Sequence, residues 1–162
     1  MKTQGTHFFI KDISGSEPVV LKFACPTGVT GLNSGGADEI DTTCLDAQTK
    51  SFELGLFDGG ELSIPFIFDP DENSHRAAFA LSALKETTEA CIALSDGTNP
   101  PTLDTSMMFV APVGRTSFII PALIKNVPID IAGNEVVRGT LTIRVNGSTL
   151  VTFADGEFVT VG

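Results

Sequence analysis

The sequence predicts a mostly β (α+β) fold, a sandwich or barrel of short strands with one α-helix packed outside it. Three observations lead there. Short apolar runs recur along the whole chain, separated by Gly, Pro, Asn and Asp. Only one stretch, Asn73 to Leu84, repeats apolar residues at helical spacing. With 162 residues, of which 42% are hydrophobic and only 19% charged, the chain supplies one core rather than two, so a single domain spanning residues 1–162 is expected.

The elements follow in order. His7 to Lys11 and Pro18 to Phe23 are apolar runs split by the turn-like Asp12-Ile13-Ser14-Gly15-Ser16, which reads as a hairpin. Thr27 to Gly36 is Gly, Thr, Ser and Asn with little to bury, hence an irregular connection. In Glu61 to Phe68, Leu62, Ile64, Phe66 and Phe68 alternate onto one strand face. Pro65 cannot donate to a ladder, so on one side of that position the strand is expected at an edge or a bulge.

Asp69-Pro70-Asp71-Glu72-Asn73 then reads as an acidic, cap-rich start for the helix. Ala77, Ala80, Leu81 and Leu84 form its expected apolar stripe, with Phe79 near the edge and Arg76, Lys85 and Glu86 in water. Strand-like runs follow at Cys91–Leu94, Ser106–Val113, Ser117–Val127, Val136–Val145 and Leu150–Phe153. Asn146-Gly147 between the last two reads as a hairpin turn.

Composition narrows the function. A net charge of -10 is the opposite of a phosphate-gripping surface, though a negative wall suits a conduit past which nucleic acid must slide. Twelve Phe with no Tyr and no Trp argue against a ligand platform built on aromatics with polar tips. Cys25, Cys44 and Cys91 are odd in number with no C-x-x-C pair, so all three are expected as reduced, buried structural thiols. Neither a secretory leader nor a membrane-spanning apolar run is visible, and folding in the cytoplasm is expected.

Candidate chemistry is sparse. His7 falls in a strand and His75 in the first helical turn, where a solvated side chain is the ordinary reading; neither has a partner at metal-ligand spacing. No nucleophile elbow and no phosphate-cradling glycine pattern occurs. The sequence therefore points to no enzyme, no catalytic residue, no metal and no cofactor. What stands out is Leu45 to Gly60, read as a loop, because Phe52, Leu54, Leu56 and Phe57 are large apolar side chains that want a partner surface.

That region resembles the signature of the tail tube proteins of long-tailed bacteriophages. The matching order is Glu39-Ile40-Asp41-Thr42-Thr43, a loop rising to Gly55-Leu56-Phe57-Asp58-Gly59-Gly60-Glu61, an alternating strand, then Phe68-Asp69-Pro70-Asp71 before the single helix. It covers about Asp38 to Leu84; the flanks agree only in being β-rich. The family also includes tubes of contractile tails, of phage-like bacteriocins and of a type VI secretion system.

The resemblance implies a virion protein, assembled in the bacterial host cytoplasm. Copies would form rings of six stacked into a hollow tail tube through which DNA passes. Partners would be other copies, tail-tip initiator, tape-measure and terminator proteins, with no membrane. It further implies that the loop Asp46 to Asp58 reaches the neighbouring ring through Lys50, Phe52, Leu54, Leu56 and Phe57. Asp41, Thr43, Glu61 and Ser63 would face the lumen. The alternative is a capsid decoration or other β-sandwich binding module whose loop only covers its own core.

Overall fold

A computed structural model describes residues 1–162 and contains thirteen strands and one helix. The first hairpin pairs β1 (His7–Asp12) with β2 (Val19–Lys22), as the alternating runs require. β3 (Gly36–Asp41) and β4 (Phe52–Asp58) pair only with each other, in a two-stranded sheet of their own. β5 (Glu61–Ile67) leads into α1 (Asn73–Leu84) and then β6 (Thr88–Ala93). A small hairpin follows, β7 (Thr102–Leu103) with β8 (Phe109–Val110). β9 (Ser117–Asn126), β10 (Ile129–Asp130), β11 (Arg138–Val145), β12 (Thr149–Thr152) and β13 (Phe158–Val161) complete the chain.

Nine strands share one sheet whose path runs β2-β1-β6-β9-β11-β5. The sheet curls until its two ends meet through the segment after β2. There Thr27 N–H donates to the Pro65 carbonyl (2.8 Å), Ile67 N–H to the Cys25 carbonyl (3.2 Å), and Thr30 and Ser63 exchange both backbone bonds. Because Ser63 bonds on this side, Pro65 turns its donor-less nitrogen the same way, away from the β11 ladder. The proline thus costs no β5–β11 bond, which satisfies the expected edge.

The inner face is the main core. Phe8 and Ile10 of β1, Leu62, Ile64 and Phe66 of β5, Ala90 and Ile92 of β6, Ile120 and Ile124 of β9, and Leu141 and Ile143 of β11 all sit within it. Phe23 packs edge-on against Phe8 and Phe66 there. The opposite face of β1, β6 and β9 carries a second cluster, Phe9, Cys91, Ala93 and Ile119, covered by Phe109. Lys11 fastens that cover: its Nζ donates to Glu89 Oε1 (3.0 Å) and the Met107 carbonyl (3.1 Å), while Phe109 N–H donates to Glu89 Oε2 (3.2 Å).

Several expectations are corrected. α1 lies over β9, β1 and β2 and buries Ser74, His75, Ala77, Ala78 and Leu81, whereas Ala80 and Leu84 are exposed; the buried stripe is rotated toward the smaller side chains that permit close packing. Its N-cap is Glu72 without a side-chain capping bond, and no acid lies in its first turn. Only Cys91 is buried, while Cys25 and Cys44 are exposed. Of Ser106–Val113, only Phe109–Val110 is strand.

The Asn146-Gly147 turn also fails as a hairpin. β11 and β12 do not pair with each other; both run antiparallel to β9, one after the other, so the chain continues in the same direction across an irregular step. Asn146 N–H donates to the Pro121 carbonyl (2.9 Å), and Gly147 takes φ 143° beside the Pro121 ring. Ten residues of β9 offer one long ladder, and that ladder overrides the local turn signal.

Candidate assembly surfaces

The segment read as a loop from Leu45 to Gly60 is in its second half a strand. β4 pairs with β3 from Asp41 opposite Phe52 to Gly36 opposite Asp58, with one register shift between Ala37 and Glu39. Alternation at Phe52, Glu53 and Leu54 is the sequence signal for it. The tip is tied by Thr42 N–H to the Ser51 carbonyl (3.0 Å) and by Ser51 N–H to Thr43 Oγ1 (2.9 Å). The hairpin's ladder is self-contained, and it stands apart from the curled sheet.

Its apolar residues are divided between two faces. Phe52, Leu54 and Phe57 stand opposite Asp41, Glu39 and Ala37 and so share one face, while the register shift interrupts the alternation at Leu56. Phe52, Leu54 and Leu56 are 50%, 73% and 94% exposed, so the chain itself does not cover them. Phe57 is half-buried and lies against the C-terminal Gly162. Lys50 precedes the strand in the exposed tip. Of the five residues expected at a ring-to-ring contact, Phe52, Leu54 and Leu56 are thus uncovered apolar side chains, Lys50 is at the tip and Phe57 is partly covered.

The four residues expected to line a lumen lie in two places. Asp41 and Thr43 are at the hairpin tip, where the Thr43 hydroxyl and N–H hold the Asp41 carboxyl below its ordinary range. Glu61 and Ser63 lie on the outer face of β5, opposite Arg144 and Thr142 of β11. Glu61 accepts from Lys125 Nζ at 2.9 Å and lies 3.9 Å from Arg144 Nη1. The Lys125 bond and charge, with Arg144 adding, hold the Glu61 carboxyl below its ordinary range.

Arg144 also grips the hairpin's root. Its Nη2 donates to both Asp58 carboxylate oxygens at 2.7 Å, while Gly60 N–H donates to Asp58 Oδ1 at 2.9 Å. The Gly60 bond and then Arg144 hold the Asp58 carboxyl low. Glycines make the root possible: a Cβ at Gly35 would sit 2.1 Å from the Asp58 carbonyl oxygen, and one at Gly59 would sit 2.6 Å from a Val145 methyl. Neither could be accommodated without moving the backbone.

Two buried polar residues escaped sequence reasoning. His75 is fully buried rather than solvated, between Phe23, Phe66 and Phe68; Asp69 N–H donates to its Nδ1 (3.0 Å) and its Nε2 donates to the Ala24 carbonyl (2.7 Å). It joins the start of α1 to the chain after β2. Arg115, also fully buried, donates to the carbonyls of Gly5, Ala93, Leu94 and Asn99 and to His7 Nδ1. Burial pushes the Cys91 thiol up to about 12, far from a reactive thiolate.

Comparison with known proteins agrees with this fold. Residues 1–155 match the family described as "Phage tail tube, TTP, lambda-like". Structural protein 3 of Pseudomonas phage PAJU2 is 27% identical over 155 residues, covering 93% of each chain. The SPP1 tail tube superposes with a TM-score of 0.69 at 10% identity, covering 97% of this chain and 80% of that one. A chain of the native gene transfer agent virion gives 0.66 at 14% identity, covering 94% and 98%.

Proposed function

The chain belongs to the lambda-like phage tail tube family, and from that premise we propose that its copies close into rings of six which stack into the hollow tube of a virion tail. Residues 1–162 then act as one wall-forming domain. The function is structural: the tube guides DNA and makes or breaks no bond. A net charge of -10 keeps that wall from adsorbing phosphates.

The observation that carries this reading is the uncovered cluster of Phe52, Leu54 and Leu56 on a hairpin that needs nothing from the barrel to form its ladder. Large exposed apolar side chains gathered on one hairpin mark an interaction surface. A copy in the next ring is the assigned occupant, with Lys50 at the tip and Phe57 at the base of the strand. Ser63, Thr140 and Thr142 on the outer face of β5 and β11 are assigned to the lumen wall, with Glu61 at its rim and Asp41 and Thr43 at the hairpin tip. Tail-tip initiator, tape-measure and terminator proteins are the partners such a tube requires, and assembly takes place in the host cytoplasm.

The test is a double substitution, Phe52→Ser with Leu54→Ser. Negative-stain microscopy and sedimentation should show that tubes are lost while the folded chain melts within a few degrees of the wild type, because exposed positions contribute little to the fold. Unchanged tube formation would remove the cluster from the stacking contact.

A further inference from the structure

Cations are scarce in this acidic chain, yet three of them converge. Lys85, Lys125 and Arg144 line an open cleft of about 400 Å³ together with Glu61, Leu123 and Ile124. Lys125 and Arg144 already face carboxylates, whereas Lys85 forms no ion pair. Lys85 closes α1 in the left-handed conformation, φ 58° and ψ 33°, a position that glycine or asparagine ordinarily takes. The negative end of the helix favours a cation there.

The hairpin is the chemical complement. It carries Asp38, Glu39, Asp41, Asp46 and Glu53 against Lys50 alone, and none of those five acids is in an ion pair within the chain. The cleft lies at the hairpin's root, beside Asp58. At about 3.3 Å per residue, the strand from Asp58 back to Phe52 carries the tip about 20 Å away. A chain therefore cannot fill its own cleft with its own tip.

We propose that the cleft of Lys85, Lys125 and Arg144 receives the acidic hairpin of a second copy. The contact joins neighbours within a ring, leaving Phe52, Leu54 and Leu56 for the ring above; this rests on the assembly reading given before.

Charge reversal with rescue tests it, using the full chain. Lys85→Glu, and separately Asp46→Lys with Glu53→Lys, should each raise the concentration at which rings form about tenfold, and combining all three should recover most of that loss. Lys85→Gly should leave the melting temperature equal or higher, since glycine suits the left-handed position, yet still weaken ring formation; a merely structural lysine would move both together. Rings forming at the wild-type concentration in both Lys85 variants, or no recovery in the combined variant, overturns this inference and leaves the assembly reading intact. A wild-type chain that forms no rings at any concentration overturns both.

Discussion

Arg115 shows how much one side chain can organise without a counter-ion. Its fork reaches four carbonyls and one imidazole, from the N-terminal segment, the end of β6 and the loop beyond it. Arg115→Met keeps the apolar length but leaves those buried acceptors unpaired. It should lower the unfolding free energy by about 3 kcal/mol, and Arg115→Lys should restore less than half, because an ammonium cannot reproduce the planar fork. Chemical denaturation measures both; a midpoint unmoved by Arg115→Met would refute the anchoring role. None of this was legible beforehand. An isolated arginine after Gly114 reads as a surface charge, and only the meeting of distant segments makes it a core residue. His75 was misread for the same reason, since its burial depends on Phe23 arriving from the chain after β2.

At the scale of elements, legibility follows how local the cause is. Leu62, Ile64 and Phe66 point inward as their alternation requires, Pro65 faces away from the β11 ladder, and α1 spans the expected Asn73–Leu84. These depend on periodicity and on proline's missing donor. The failures depend on partners far away in sequence: β12 follows β11 along β9 instead of folding back, and α1 rotates toward Ser74 and Ala78 to approach the sheet. The β3–β4 hairpin lies between these cases, because Phe52-Glu53-Leu54 alternates plainly but Gly55 and the adjoining Leu56-Phe57 pair blur the pattern. Its isolation from the sheet has a dynamic consequence. Without packing from the barrel, its amides should exchange with solvent markedly faster than those of β9 in the free chain, and slow on assembly. Hydrogen exchange that is equally slow in both elements before assembly would contradict the isolation of the hairpin.

For the whole molecule, the perturbed titrations on the acid side of neutrality share one sign. Gly60 and Arg144 hold Asp58 low, Lys125 holds Glu61 low, the Thr116 hydroxyl holds Asp96 low, and burial followed by Lys22 and Arg115 lowers His7 from 6.5. Each group binds its proton more weakly folded than unfolded, so the unfolded chain takes up more protons and stability declines as pH falls. His7 acts first, below about pH 6.5, and the carboxylates follow below their ordinary range. Relief of the net negative charge toward the pI near 4.4 opposes this. The melting temperature should therefore be flat near neutrality and begin to fall below about pH 6.5, and His7→Gln should abolish that first decline while leaving the later one. A melting temperature rising steadily from pH 7 to pH 5 would show that relief of repulsion outweighs the local terms. The self-contained ladder of β3 and β4 has one more consequence, which concerns ancestry and engineering. On the assembly reading proposed above, a chain whose contact hairpin makes its hydrogen bonds internally can exchange the sequence of that hairpin while its barrel stays constant. Related tails in one infected cell could then keep their subunits separate by hairpin sequence alone, and a designer could produce mutually blind filaments from a single scaffold by rewriting residues 37–57.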